Sequence, residues 1–581
     1  MSLPSVVSRR AVAVVGSVAL VLSLLLVAPG AGQQTPAADL VLRGGKVVTL
    51  DVDSTVAEAI AVRGHEIVAV GSDDEIAAYV DADTEVIDLD GRLATPGLIE
   101  GHGHFSSLGR AQMILDLTEA RTWQEIVAMV EAAAREAEPG EWIQGRGWHQ
   151  EKWDEEPARS VEGVPVHDGL SEVSPDNPVL LGHASGHAAF ANALAMEMAG
   201  IDADTPDPDG GTIVRDEDGE ATGLLRETAQ RLVGAVLAAE RERMTDAERD
   251  AEFRRMVELA GQEALSKGVT SFHDAGAPFS EIDRYRQLAD EGSLPVRLYV
   301  MVRRASNEEM ERLLPRYRII PEGNDFLAVR SIKRQIDGAL GAHGAWLLEP
   351  YEDLDSEGLV LEDPEDIERT AEIAVRHGFQ VNTHAIGDRG NREVLDIYER
   401  VWERAGISGA GLRWRVEHAQ HLHPDDIPRF AELGVIASMQ GIHCTSDAPW
   451  VFRRLGAARA ESGAYMWRDL LDSGAVVMNG TDVPVEDIDP IASFHASVTR
   501  LTRDGEAFFP DQAMSRMEAL RSYTLANAYG AFEEHLKGTL EPGKLADVTV
   551  LDRDILTVPV GEILDTGVEL TIVGGEIRHG K

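Results

Sequence analysis

From Gly268 to Gly480, short runs rich in β-branched and aromatic residues alternate with amphipathic stretches of helical period. That alternation restricts the chain to a parallel sheet with helical crossovers. The runs are Val269–His273, Val296–Val300, Ser331–Ile336, Phe379–His384, Arg413–His418, Val435–Gln440 and Ala475–Gly480, with Glu365–His377 and Asp388–Ala405 among the helical patterns between them. One earlier run, Leu98–His104, brings the count to eight, that of a (β/α)8 TIM-type barrel.

The connection from His104 to Val269 is far longer than a helix and two turns require, which predicts an insertion over about residues 117–239. It leaves from the C-terminal end of the first strand, so it is expected over the face where barrel sites lie, as a candidate lid. Strand-like pieces punctuated by turns fill Asp39–Leu93 and recur in Ala546–Leu551 and Thr571–Ile577. Both chain ends are therefore expected to build one composite β-sandwich, residues 39–94 with 536–581, around a barrel spanning 95–535.

Ser8-Arg9-Arg10, the uncharged stretch Ala11–Val27 and the small residues Ala28–Gly32 read as an export signal over residues 1–32, followed by a linker over 33–38. The expectation is a periplasmic or extracellular protein with no stable membrane partner after cleavage; the alternative is a chain anchored by an uncleaved segment. Acidic residues outnumber basic ones 100 to 54, for a formal charge of −46 spread along the chain. Such a surface repels nucleic acid and anionic lipid, so neither is expected as a partner. A homo-oligomer is left open. The single cysteine, Cys444, excludes an intramolecular disulfide and a cysteine zinc cage, leaving His, carboxylate or modified Lys as metal ligands.

Those residue types sit at the strand ends. In His102-Gly103-His104 the period of two puts both imidazoles on one side of a strand. Lys333, His384, His418 and Asp482 each close, or directly follow, a later run. Six such side chains are predicted to converge on the mouth of one barrel.

This order of ligands, together with Pro96–His104, Arg146-Gly147-Trp148, Gly186–Phe190, Gly268–Gly276, His384–Arg389, Val416–Gln420, Gly480–Pro484 and Gly543–Asp547, resembles the amidohydrolase superfamily of metal-dependent hydrolases. It is most similar to the branch that includes N-substituted formamide deformylase. The resemblance implies that His102, His104 and Asp482 hold one divalent ion, that His384 and His418 hold a second, and that Lys333 bridges them as a carbamate. Zn is the expected metal, with Mn, Fe or Co suited to the same donors. With Lys333 unmodified, a single ion on His102, His104 and Asp482 is the alternative.

The implied reaction is hydrolysis of a carbon–nitrogen bond in a small molecule, with Asp482 as the catalytic proton carrier. An ester or cyclic urea substrate, or a catalytically silent extracytoplasmic binding protein, are the other readings. A bare turn cap before Val483-Pro484 is the bland role for Asp482. Arg146 and His187 are candidate substrate contacts from the insertion, while Asp337 is a pocket wall or a turn. His443 and Trp450 are further pocket candidates, Glu417 and Gln420 are placed to orient a ligand, and Asp388 reads as a helix cap. His149 and Glu100 depart from the branch's usual pattern, which has an acidic residue and Asp at those places.

Overall fold

The computed structural model describes residues 36–150, 153–157, 159–161, 163–183 and 188–580. The export segment, the first linker residues and His187 lie outside them.

Eight strands form one parallel sheet in strict sequence order. They are β1 (Leu98–Gly103), β2 (Val269–Ala277), β3 (Arg297–Val302), β4 (Leu327–Gln335), β5 (Gln380–Ala385), β6 (Arg415–His418), β7 (Ile436–Gln440) and β8 (Val477–Gly480). The first and last strands meet at the C-terminal end. There the Asp482 N–H donates to the His102 carbonyl at 2.7 Å, and the His104 N–H donates to the Val483 carbonyl at 2.8 Å. Glycine is required at this seam: a Cβ on Gly480 would lie 2.4 Å from Glu100 Oε1 and 2.6 Å from the His102 nitrogen.

Two outer helices show why the periodicity was readable. α1 (Pro364–His377) starts with Pro at its first turn, where the N–H would have no helical partner, and Asp363 accepts the Glu365 N–H. It buries Ile367, Ala371 and Ala374 and stops at Gly378, whose left-handed φ of 70° suits glycine. α2 (Asp388–Ala405) buries Val394, Leu395, Tyr398 and Val401 and ends likewise at Gly406. Both pack on the barrel, whose wall and helices share one apolar core.

The two chain ends do combine. Leu93–Pro96 is flanked by Lys46–Val48 on one side and by Val548–Leu551 on the other, inside a six-stranded sheet completed by the C-terminal hairpin. A four-stranded sheet of Leu40–Arg43, Ala59–Arg63, Glu66–Gly71 and Glu85–Asp88 accompanies it. The strand Leu93–Pro96 leads through Gly97 directly into β1, so the sandwich abuts the barrel's N-terminal end. Arg297, opening β3, grips the Asp547 carboxylate at 2.8 and 3.1 Å, with both side chains buried.

The insertion has its own six-stranded sheet, running from Leu115–Asp116 to Ala221–Glu227, and its own apolar clusters. A helix, Asp246–Ser266, returns the chain to β2 and packs against Phe105–Ala111, the helix that follows His104.

Candidate metal centre

The six residues expected at the mouth are brought together. Alternation along β1 points Glu100, His102 and His104 inward in succession. Glu100, fully buried, accepts the Thr481 N–H at 2.7 Å, the Thr481 hydroxyl at 3.0 Å and the His102 N–H at 3.2 Å, so it ties β8 to β1 just below the site. Burial pushes its carboxyl up to about 8.

His102 donates from Nδ1 to Glu417. Its Nε2 lies 3.2 Å from Lys333 Nζ and 3.5 Å from Asp482 Oδ1, and His104 Nε2 lies 3.3 Å from the same oxygen. The His418 ring is 4.6 Å from that of His102 and 4.3 Å from that of His384. His418 donates from Nδ1 to the Gln440 amide oxygen at 2.8 Å. Ligand atoms of His102, His418 and Asp482 all lie within 4.8 Å of one another.

The backbone is bent to aim two of these side chains. His418 and Asp482 take φ of 77° and 62°, and Ala419 takes 43°, the left-handed region that non-glycine residues rarely adopt. Such strain persists only where the surroundings enforce it, and it gathers at functional sites.

Electrostatics suit a cation. Burial, reinforced by the Lys333 charge, lowers His102 to about 4 and His384 well below the usual imidazole range; for His418, burial acts first, then the neighbouring imidazoles. These shifts bias the rings toward the neutral form, whose unprotonated nitrogen carries a lone pair. Burial raises the Asp482 carboxyl, but His104, His102, His418 and His443 around it outweigh that and hold it well below the carboxylate range. Burial also lowers Lys333 to about 8. Two buried atoms in this group, Asp482 Oδ1 and His384 Nε2, make no hydrogen bond among the described residues. Neutral imidazoles, a bare carboxylate oxygen and an orphaned ring nitrogen fit a divalent ion.

The remaining candidates fall in different places. Asp337, proposed as a pocket wall or a turn, is completely buried. Its carboxylate accepts the N–H groups of Ile386 at 2.9 Å, Gly387 at 2.8 Å and Trp346 at 2.9 Å, and lies 3.6 Å from His384 Nε2. It fixes the loop that follows His384. Asp388 is not the helix cap expected of it: Gly387 holds that place with no side-chain cap bond, and the Asp388 carboxylate, on the first helical residue, accepts the N–H groups of Arg389 and Leu348 at 2.9 Å each. His443 is nearly buried, receives an amide hydrogen bond from Gln420 at 3.1 Å, and stacks 6.3 Å from His418. Arg146 is exposed in the insertion and lines a cleft of about 430 Å³ together with Asp116, Thr118, Lys267 and the segment Val483–Ile488 that follows Asp482. His187 lies outside the described residues.

Sequence reasoning missed Gln440, which fixes the His418 tautomer, and Arg303. The latter follows β3 and bonds Gln335, at the end of β4, at 2.7 Å. The signal available for both was the one used for the ligands, position at a strand's C-terminal end.

Residues 85–579 match the Amidohydrolase family. The chain is 34% identical over 531 residues to Protein LONG AFTER FAR-RED 3 of Arabidopsis thaliana, covering 89% of this chain and 88% of that protein. It is 29% identical over 552 residues to N-substituted formamide deformylase of Arthrobacter pascens, covering 93% and 98%. The crystal structure of a metal-dependent hydrolase from Pyrococcus furiosus superposes with a TM-score of 0.71 at 28% identity, over 89% of this chain and all of that one. The chain belongs to the amidohydrolase family.

Proposed function

We propose that this amidohydrolase is an exported, metal-dependent hydrolase of a carbon–nitrogen bond in a small amide or formamide. The observation that carries this reading is the convergence of His102, His104, Lys333, His384, His418 and Asp482 at one barrel end, with Asp482 Oδ1 and His384 Nε2 buried and making no hydrogen bond among the described residues. The similarity to N-substituted formamide deformylase supports the choice of bond.

His102, His104 and Asp482 would hold one divalent ion, Zn first among the metals, and His384 with His418 a second, bridged by a carbamate on Lys333. When bound, the ion supplies Lewis acidity, polarising a carbonyl oxygen and acidifying a water. Glu417 and Gln440 accept the Nδ1 protons of His102 and His418, which fixes both tautomers and leaves each Nε2 with its lone pair. Asp482, anionic at neutral pH, takes the proton lost by the attacking water and returns it to the nitrogen that leaves. His443 stands beside these groups, stacked 6.3 Å from His418.

Metal analysis of the purified protein, combined with hydrolysis assays over matched amides, formamides, esters and cyclic ureas before and after chelation, tests this. We expect at least one ion per chain and chelator-sensitive release of amine. Metal-free protein without hydrolytic activity after reloading would overturn the reading, and faster ester than amide cleavage would replace the proposed bond. Export is supported by the segment Ser8–Gly32, and N-terminal sequencing of protein recovered outside the cytoplasm tests it.

A further inference from the structure

We propose that Arg415 is a positioning residue for the metal centre, acting through Glu417 on His102. The inference rests on the metal centre proposed above and assigns a role to a residue two positions deeper on the same strand.

Arg415 and Glu417 both lie on β6, two residues apart, and so face the barrel interior one above the other. Both are completely buried. An Arg415 Nη1–Glu417 Oε1 distance of 3.8 Å places the cation directly under the carboxylate, whose other oxygen receives the His102 Nδ1 proton. The sheet register sets Lys333, Asn382 and Arg415 side by side on β4, β5 and β6, so the guanidinium enters the barrel level with the start of the Lys333 side chain and two residues below Glu417 on its own strand.

Other contacts hold Arg415 without neutralising it. Its Nη1 lies 3.3 Å from His273 Nδ1, and its guanidinium carbon lies 5.2 Å from the Tyr299 ring centroid. Among the described residues its Nε and Nη2 find no acceptor, and Glu417 Oε1 likewise has no hydrogen bond. A guanidinium in this setting is a poor device for stability, because well-packed apolar residues of similar volume often do as well or better than a buried ion pair. Barrel interiors are ordinarily filled by branched aliphatic side chains. What the cation does supply is a fixed counter-charge that keeps the Glu417 carboxylate in place against His102, which in turn aims His102 Nε2 at the mouth.

Equilibrium dialysis of the metal-stripped full chain against Zn²⁺ alone tests this on the wild type, Arg415→Met, Arg415→Lys, Glu417→Gln and the Arg415→Met/Glu417→Gln double variant. Loss of an outer partner of a metal-binding histidine weakens affinity by about 10- to 100-fold. We expect a loss in that range for Arg415→Met, partial recovery in Arg415→Lys, and a double variant no weaker than Glu417→Gln alone. Zn²⁺ affinity of Arg415→Met within about twofold of the wild type overturns the inference while leaving the metal centre standing, and a double variant showing the sum of both losses also overturns it. A wild type that binds no Zn²⁺ overturns the centre and the inference together. Should Arg415→Met not fold, the double variant, which removes both buried charges, is compared with Glu417→Gln: equal Zn²⁺ affinity supports the role of Arg415 through Glu417, and a further loss overturns it.

Discussion

The Lys333 ammonium nitrogen lies 3.2 Å from His102 Nε2, the one ring nitrogen of His102 that Glu417 leaves available. A single lone pair cannot serve an ammonium and a metal ion at once. Metal binding at the proposed centre would therefore require the amine to withdraw or be converted, and burial, by lowering the amine to about 8, leaves more of it neutral and reactive toward CO₂ than an ordinary lysine near 10.4.

The first prediction concerns that conversion. Metal-stripped wild-type protein should take up two Zn²⁺ per chain when bicarbonate is supplied and fewer without it. Lys333→Met should bind no more than one and ignore bicarbonate. Metal analysis after desalting reads the outcome, and equal stoichiometry in both proteins rejects the bridging carbamate.

Replacing Asp482 by Asn should keep the fold, because the backbone bond from its N–H to the His102 carbonyl is untouched. Hydrolysis should fall by about 10² to 10⁴, the range for a lost proton carrier, and more if metal is lost too. Assays at saturating Zn²⁺ separate the two effects. A variant with wild-type kcat assigns Asp482 only a structural role.

Asp337→Asn tests a different kind of residue. Asn offers an NH₂ group toward backbone donors, so at least one of the N–H groups from Trp346, Ile386 and Gly387 loses its acceptor. Each stranded group costs about 1–3 kcal/mol. The apparent melting temperature should drop, and the surviving folded enzyme should show an unchanged KM, since the side chain is sealed from solvent. A raised KM with unchanged melting would return Asp337 to the substrate pocket.

The Arg297–Asp547 pair makes stability depend on pH. Burial raises Asp547, but the Arg297 charge and hydrogen bonds outweigh it and hold the carboxyl below its ordinary value. A depressed folded-state pKa gives stability that is complete above the unfolded value of about 3.9 and is lost as pH falls through the folded value. Melting curves of the wild type should therefore steepen their decline below about pH 4. Asp547→Asn should start lower, by about 3–5 kcal/mol for an orphaned buried partner, and lack that part of the decline. Parallel curves for the two proteins would remove the pair from the pH response.

The barrel was legible because its strands are short, strongly β-forming and separated by helices with one apolar face: the run read as Val269–His273 lies within β2, and Phe379–His384 within one residue of β5. The His102/His104 pair was legible because period two is a property of any strand. What could not be read was lateral. Glu417 meets His102 across the barrel, and Gln440 meets His418 from the next strand, relationships that depend on register and not on neighbours in the chain. Asp337 was ambiguous because an Asp-Gly pair suits a turn equally well whether the carboxylate faces water or three amides. The insertion's sheet was hard to read because glycines interrupt the period of strands such as Ile143–Trp148, and its edge strand Leu115–Asp116 is only two residues long.

The seam between β1 and β8 sets a timetable for the ribosome. His102 and His104 emerge early, yet the residue that bonds to the His102 carbonyl and faces both rings is Asp482, near the end of synthesis. The strand Leu93–Pro96, just ahead of them, waits longer still for Val548–Leu551. Contacts this distant in sequence form late, because the entropy of closing so long a loop must be met before they contribute. A chain that stops short of residue 482 therefore displays both histidines without their carboxylate, and the proposed metal site is incomplete until that residue has been made.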